Sequence, residues 1–315
     1  ATPAVSVRRA KDWLTGALCH LGAGAKTNVG YGRFEPVGTA APVLRTHDRL
    51  AVTDCIIRLV TPAFLAGADQ ERQEDCRLRT ASLRGLVRWW WRTMFAGRLN
   101  RDVLGSLEAS IFGDTRAGGA VSISLVPAEV PRPEKFDYKD QGKPYLRDSF
   151  RTQHHLDRPA AGRTAGCLYL AYGMDEKKGQ RWYLPAGATW RVSVTARRGL
   201  FVSDRSSIPK LRADGKLPDP QLPAELVLKQ AQAAIGLLCR FGGVGAKSRK
   251  GYGSLDLVGS EDWGTEDFVG GAVAGLLGSV GVGAEFAESR MQSPSLHAAR
   301  ELGAGGAPVF QSALR

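Results

Sequence analysis

Apolar residues recur at helical spacing in three stretches of the chain. Two of these stretches, Ala4–Leu21 and Pro223–Phe241, run directly into glycines, which favour the left-handed backbone that closes a helix. The third lies within Arg77–Gly97. Its apolar stripe consists of Leu83, Leu86, Val87, Trp90, Trp91 and Phe95. The pattern therefore predicts a helix near the N-terminus, one after the first strand and one in the last third of the chain.

Alternating or densely placed apolar residues predict strands elsewhere. The strands are expected at Arg49–Val60, Ala120–Val130, Cys167–Tyr172 and Trp190–Val194, and a short one follows the second glycine run. The glycine-rich stretch 270–286 has the composition of a further short helix. The order is strand, helix, strand, long insertion, strand, strand, helix, glycine loop, strand. This order predicts an α+β fold of ferredoxin-like, RRM-like βαβ units.

Composition changes along the chain predict its domain organisation. The composition predicts a linker at residues 39–48, the main domain at residues 49–258, and a C-terminal tail at residues 259–315. Within the main domain, residues from about 131 to 163 are charged, rich in proline and poor in aliphatic side chains, which predicts a mobile insertion. Residues 1–38 offer a helix, a glycine loop and a strand without partner elements. We therefore expect them to close a preceding module.

Two glycine-rich segments repeat each other. Leu21–Phe34 reads LGAGAKTNVGYGRF and Phe241–Leu255 reads FGGVGAKSRKGYGSL, and seven identical residues are offset by a constant 221 positions. Such a repeat predicts a duplicated structural unit. A nucleotide-binding P-loop does not fit, because alanine precedes each lysine and the loop follows a helix rather than a strand.

The residue types of these loops suit a phosphate backbone. Glycines allow close approach, cations and hydroxyl groups stand beside bare amides, and a tyrosine offers an aromatic face. The candidate RNA-binding residues are Lys26, Thr27, Asn28, Tyr31, Lys247, Ser248, Arg249, Lys250 and Tyr252. The alternative is a glycine-rich turn with exposed lysines.

The helix predicted within Arg77–Gly97 carries a second basic feature. Arg84, Arg88 and Arg92 are spaced by four residues and form one stripe, with Trp89 at its edge. Arginine binds phosphate through its planar fork and stacks on bases. Arg79, Ser82, Trp89 and the three arginines of the stripe are therefore candidate RNA contacts. The alternative is a solvated basic face opposite a tryptophan-rich core.

Charge and cysteine usage narrow the class of protein. The net charge of +12 and the pI near 9.7 favour a polyanionic partner. No apolar run is long enough to span a membrane, and no signal peptide precedes the first helix. The five cysteines are scattered without a C-x-x-C pair, which predicts reduced thiols in a cytosolic protein rather than a zinc site or disulfide framework. No metal or cofactor is expected.

Five motifs together resemble one family. They are Thr61-Pro62 at a strand end, the Gly67 loop, SLRGLVRWW from Ser82, Ile111-Phe112-Gly113, and the loop GVGAKSRKGYG from Gly243. This set resembles the RAMP superfamily of type III CRISPR effector complexes, and within it the first-numbered subunit of the Cmr complex, over about residues 49 to 258. Residues 1–38 instead resemble the end of the sixth-numbered Cmr subunit, as in a fused or single-chain effector.

The resemblance implies a fold, a role and partners. It implies two ferredoxin-like halves within residues 49–258 and a subunit that binds CRISPR RNA near its 3′ end, or the target RNA paired with it, beside other RAMP or Cas subunits. It implies no catalytic site in this chain.

Two other functions remain open. One is an endoribonuclease that cuts RNA with a loop aspartate, for which Asp69 and Asp114 are the candidates; His20 and His47 lack a basic partner at convincing spacing. The other is an assembly subunit whose glycine loops touch only protein neighbours.

Overall fold

The computed structural model describes residues 3–24, 32, 34–38, 49–136, 170–171, 173–174 and 181–280. Its helices are α1 Pro3–His20, α2 Thr80–Phe95, α3 Arg101–Phe112, α4 Ile208–Ala213, α5 Ala224–Phe241 and α6 Glu266–Ser279. Its strands are β1 Leu50–Leu59, β2 Val121–Glu129, β3 Glu134–Lys135, β4 Trp182–Tyr183, β5 Thr189–Arg197 and β6 Leu255–Val258. The three helices and three of the strands predicted from apolar spacing are thereby confirmed, as is the short strand after the glycine loop.

Four strands form one antiparallel sheet in the order β2-β5-β1-β6. Along the chain they alternate with helices as β1, α2 and α3, β2, β5, α5, β6, which is the βαββαβ order of a ferredoxin-like unit. The predicted fold class is confirmed. The described residues form a single such unit, and a second ferredoxin-like half within residues 49–258 stays a prediction. The pair β3–β4 makes a separate two-stranded sheet.

The core lies between the sheet and the helices because the apolar positions of each strand face one side. On β1 the alternation buries Ala51, Cys55, Ile57 and Leu59. Helix α5 packs across β1, β5 and β6, and α2 packs beside it. A buried hydrogen bond from Trp91 Nε1 of α2 to the side-chain oxygen of Gln230 of α5, at 3.2 Å, joins the two helices. The opposite face of β1 carries Asp54 and Arg58 and no aromatic side chain.

The structure differs from the expectations in the loops. The polar, proline-rich sequence of residues 203–223 predicts a loop, but the segment contains the helix α4, whose Ile208 is fully buried. Of the predicted strand Cys167–Tyr172, the structure describes Leu170 and Ala171, and neither lies in a strand. The linker 39–48 and most of the insertion at 131–163 lie outside the described residues. Among the helices that are described, none is both long and apolar enough to cross a membrane.

Candidate nucleic-acid interface

The second glycine loop follows α5 and is held by the end of β1. The backbone amide of Gly253 donates to Pro62 O at 2.8 Å, and the amide of Ala246 donates to Phe64 O at 2.9 Å. The Thr61 hydroxyl donates to Gly251 O at 2.7 Å and accepts from the Ser254 amide at 2.9 Å. The Thr-Pro motif is therefore the anchor of the loop, which explains why the two motifs occur together.

Two glycines of the loop are required by close backbone contacts. A Cβ atom at Gly253 would stand 1.9 Å from Val244 O, and one at Gly245 would stand 2.4 Å from Phe64 O. Both glycines also have positive φ, 68° and 82°. No other residue fits these positions without moving the backbone. The loop is thus a rigid, closely hydrogen-bonded turn.

Tyr252 faces the interior and not the solvent. It is 2% exposed and belongs to a small aromatic cluster with Phe64, Phe136 and Tyr183. Its ring centroid lies 5.1 Å from that of Phe64. The expectation of an exposed aromatic face at Tyr252 is wrong. The flanking glycines let the backbone reverse so that the ring anchors the loop from beneath.

The cations of the loop point outward instead. Arg249 and Lys250 are exposed, and Lys247 and Ser248 are half-buried. Within the part of the chain that the structure describes, no carboxylate pairs with Lys247, Arg249 or Lys250. Ser248–Lys250 forms one turn of 3₁₀ helix that begins after Lys247. The turn therefore presents the exposed Arg249 and Lys250 beside the half-buried Lys247, and none of the three has a carboxylate partner among the described residues.

Lys247 has an unusual backbone. Its φ of 61° lies in the left-handed region, and among the described residues it is the non-glycine residue with positive φ. A lysine there costs more than a glycine would, by roughly 1 kcal/mol. The strained residue stands at the most basic point of the loop.

The arginine stripe of α2 is divided by the structure. Arg84 is buried, and its Nη2 donates to the carbonyl oxygen of Phe112 at the end of α3. Its Nε is also buried and has no hydrogen-bond partner among the described residues. Burial, and secondarily the charge of Arg88, lower the pKa of Arg84 to about 10. Phosphate contact by Arg84 is therefore contradicted, because the side chain closes the α2–α3 packing.

Arg88 and Arg92 share one carboxylate. Arg88 Nε lies 2.7 Å from Glu108 Oε1, and Arg92 Nε lies 3.8 Å from Glu108 Oε2. Glu108 is itself buried in α3. The sequence interpretation overlooked this partner, although a lone carboxylate in the apolar run LEASIF was the available signal. Phosphate contact by Arg88 or Arg92 stays a prediction, and it would have to compete with Glu108.

The exposed face of α2 includes Arg92 but not Arg84. Ser82, Gly85 and Trp89 recur along one side of the helix and face solvent. Arg79 is exposed just before the helix, and its Nη2 donates to Ala66 O at 3.2 Å. These positions of Arg79, Ser82 and Trp89 are compatible with the predicted contacts.

Trp89 belongs to an aromatic surface that the sequence interpretation did not find in full. Trp89 is 51% exposed and meets Trp90 edge to face at 5.0 Å between ring centroids. Trp90 in turn lies 6.3 Å from Phe241, which is 64% exposed. The guanidinium carbon of Arg240 stands 5.5 Å from the centre of the Phe241 ring. We call Trp89, Trp90, Arg240 and Phe241 the aromatic surface. The signal in the sequence was an Arg-Phe pair directly before the glycines.

The aromatic surface adjoins the start of the glycine loop. Phe241 ends α5, and Gly242 follows it. A Cβ atom at Gly242 would stand 2.6 Å from Trp90 Nε1, so the indole packs directly on this glycine. The aromatic surface thus ends where the glycine loop begins.

The two candidate catalytic aspartates hold loops. Asp69 Oδ1 accepts from the Glu71 amide at 3.0 Å, and the Asp69 amide donates to Asp75 Oδ2 at 2.9 Å. Asp114 pairs with the buried Arg205 at 3.1 Å. Burial raises the pKa of Asp114, but hydrogen bonds from Arg205 and from the Ala117 and Arg116 amides outweigh it and lower the pKa to about 2. Asp114 is thus ill-suited to accept a proton in catalysis near neutral pH.

The thiols and the acidic groups offer little for metal chemistry. Burial, with a smaller contribution from Asp54, raises the pKa of Cys55 to about 12, and burial raises that of Cys76 to about 11, so both remain protonated. No cluster of three His, Cys, Asp or Glu side chains occurs among the described residues. His47 and Cys167 lie outside them. So do Lys26, Thr27, Asn28 and Tyr31 of the first glycine loop, whose predicted contacts stay predictions.

The chain is similar in sequence to known proteins. The sequence profile of the RAMP superfamily matches residues 56–256. The CRISPR system Cmr subunit Cmr1-2 of Pyrococcus furiosus is 26% identical over 203 residues, which span 63% of this chain and 91% of that protein. The subunit Cmr1-1 of the same organism is 23% identical over 190 residues, or 59% of this chain and 42% of that protein.

A solved structure also aligns with part of this chain. The crystal structure of Cmr1 from Pyrococcus furiosus, in its apo form, aligns with 66% of this chain and 49% of that chain, at 20% identity and a TM-score of 0.42. This chain therefore spans less than half the length of that protein and of Cmr1-1. The family match covers most of the sheet, α2 and the second glycine loop, and it confirms the resemblance drawn from the motifs. The chain belongs to the RAMP superfamily.

Proposed function

We propose that this chain binds RNA as a subunit or module of a type III CRISPR ribonucleoprotein, without a catalytic site of its own. The binding surface consists of the second glycine loop and the aromatic surface beside it. The RNA is the guide near its 3′ end, or the target paired with it, and other RAMP or Cas subunits are its neighbours.

The single observation that carries this proposal is the conformation and position of Lys247. A rigid loop anchored by Thr61 and Pro62 holds the lysine in a left-handed conformation that glycine adopts more easily. Strain of this kind is retained where a side chain is needed. Arg249 and Lys250 stand beside it without carboxylate partners in the described structure, so their charges are available to phosphates.

The aromatic surface supplies the second part of an RNA site. Exposed aromatic side chains stack on unpaired bases and contribute about 1–3 kcal/mol per base. Trp89 and Phe241 are exposed, and the guanidinium of Arg240 adds a cation over the Phe241 ring. Basic groups bind the backbone, and rings bind bases, on adjoining parts of one face.

The engaged states of the two aspartates support a binding role over a cleaving one. A general base must be free to take a proton, and Asp114 is committed to Arg205 and two backbone amides. Asp69 organises its own loop. Cleavage that is lost in Asp69→Ala and retained in the loop variants below would favour the endoribonuclease instead.

The test is the salt dependence of RNA affinity in the variant Lys247→Ala/Arg249→Ala. Each phosphate contact contributes about 0.7 to the slope of log K against log salt for a single strand and about 0.9 for a duplex. Loss of two contacts should therefore reduce the slope by roughly 1.4 to 1.8. Affinity for a single-stranded oligoribonucleotide, and for the same strand paired with its complement, is measured across a salt series for each protein.

A matched control removes the same charge elsewhere. Lys210 and Arg212 are exposed on α4, which follows β5 at the end of the sheet opposite to Thr61. The variant Lys210→Ala/Arg212→Ala should keep the slope. Trp89→Ala should weaken binding of the single strand at every salt concentration without changing the slope. Equal slopes in both double variants would refute the assignment, and assembly retained without RNA binding would favour the protein-contact role.

A further inference from the structure

The first glycine loop shares key backbone features with the second one. The amide of Ala23 donates to Gly32 O at 2.8 Å, and the amide of Val244 donates to Gly253 O at 2.8 Å. The φ angles of Gly32 and Gly253 are 65° and 68°. A Cβ atom at either glycine would stand 1.9 Å from the carbonyl oxygen of the residue across the loop. The repeat in the sequence is therefore a repeat in structure.

The helices that lead into the two loops carry apolar residues at equivalent positions. With the constant offset of 221 residues, five apolar positions of α1 match five positions of α5. The five positions of α5 are all buried in the core. The pairs are Val7 with Leu228, Ala10 with Ala231, Trp13 with Ala234, Leu14 with Ile235, and Ala17 with Leu238. The stripe of α1 therefore has the pattern of a helix that lies on a sheet.

The stripe of α1 nevertheless faces solvent. Trp13 is 73% exposed and Leu14 is 61% exposed, and Val7 is exposed as well. An isolated helix of this length is marginal in water and gains its stability from packing its apolar face. Exposed rows of large apolar side chains mark interaction sites.

The partner surface follows from what covers the equivalent helix. Helix α5 packs on β1, β5 and β6, with α2 alongside. We infer that α1 and its glycine loop close a second RAMP-type module, and that the antiparallel sheet of that module covers Val7, Trp13 and Leu14. The inference rests on the duplicated geometry and is independent of RNA binding.

A second copy of this chain does not supply that surface. Its sheet is already covered by α5, whose buried positions would have to be vacated. In addition, Trp13 stands where α5 has Ala234, so the partner sheet must leave room for an indole. The occupant is a RAMP-type sheet that lacks a closing helix of its own.

A photo-crosslinking amino acid identifies the occupant directly. Benzoylphenylalanine is placed at position 13 in one variant and at position 12 in the control, since Asp12 lies on the opposite face of α1. The natural assembly is irradiated, and the adducts are mapped to peptides. The expected adducts from position 13 lie on strand residues of a RAMP-type sheet outside residues 49–280, in clear excess over position 12.

Other adducts overturn the inference. They include adducts on residues 49–280 or 281–315 of this chain, on a second copy, or on RNA, as well as a yield no higher than that of the control. Because the substitution itself could disturb α1, hydrogen exchange of the unsubstituted protein provides a second test. Amides of α1 should exchange at least about tenfold more slowly in the assembly than in the isolated chain. Equal rates would refute the inference even if crosslinking failed.

Discussion

Replacing Tyr252 by alanine separates a folding role from a binding role. The ring is almost fully buried and contacts the ring of Phe64. Truncation of a buried aromatic side chain to alanine costs about 3–5 kcal/mol. The cluster around Tyr252 is small and has partly buried neighbours, so we expect the lower end, about 3 kcal/mol. For a domain of this size, that corresponds to a loss of about 6–12 °C in Tm.

Urea unfolding of the full chain, followed by circular dichroism and tryptophan fluorescence, measures this cost. Tyr252→Phe keeps the ring and is the matched control, with an expected loss of about 1 kcal/mol or less. Lys247→Ala/Arg249→Ala leaves the buried side chains beneath the loop unchanged, and its free energy of unfolding should stay within about 0.5 kcal/mol of that of the natural protein. Tyr252→Ala with an unchanged unfolding midpoint and lost RNA affinity would refute the reasoning, since it would make the ring an exposed contact.

Two further predictions concern the glycines and Asp114. Gly253→Ala should destabilise the chain by more than about 2 kcal/mol, because the new Cβ would meet Val244 O and the φ angle is unfavourable. Gly85→Ala lies on the open face of α2 and should instead stabilise the chain by up to about 1 kcal/mol. Urea midpoints of the two variants with the same sign would contradict this. The pKa of Asp114 is lowered to about 2 in the folded protein, so its contribution is present above the unfolded pKa near 3.8 and is lost as pH falls from about 4 to 2. In Asp114→Asn the free energy of unfolding should therefore fall less between pH 4 and pH 2 than in the natural protein, by about 1 kcal/mol after solvent screening. An equally large fall in both proteins would refute the role of Asp114.

The fold was predictable because local patterns and topology agree. Alternating apolar positions in β1, β2 and β5 and the helical stripes of α2 and α5 determine which faces are buried. Their order along the chain then leaves the ferredoxin-like arrangement as the simplest one. The repeat of the glycine loops was also visible, because an offset of 221 residues aligns both the glycines and the apolar helix positions.

The site was less predictable because it depends on contacts between distant residues. Nothing near Tyr252 in the sequence indicates that Phe64 and Tyr183 will enclose it. The spacing of Arg84, Arg88 and Arg92 correctly predicts one stripe, but spacing alone does not say that α3 lies over that stripe. The sequence places Phe241 in a helix, but it does not show that Trp90 of another helix lies beside it on an exposed surface. Residue type and period give the face of an element, while packing between elements decides whether that face is exposed.

The anchoring of the glycine loop also constrains how the protein is made. The hydrogen bond from Thr61 to Gly251 joins residues that are 190 positions apart, and β6 pairs with β1 over a similar span. During synthesis β1 leaves the ribosome before the other strands of the sheet, and its edge toward β6 stays open until almost the whole domain has emerged. Open strand edges of this kind invite pairing with other chains. The nascent protein is thus most prone to aggregation just before its binding loop can form, and a truncated chain that ends before β6 should accumulate in inclusion bodies.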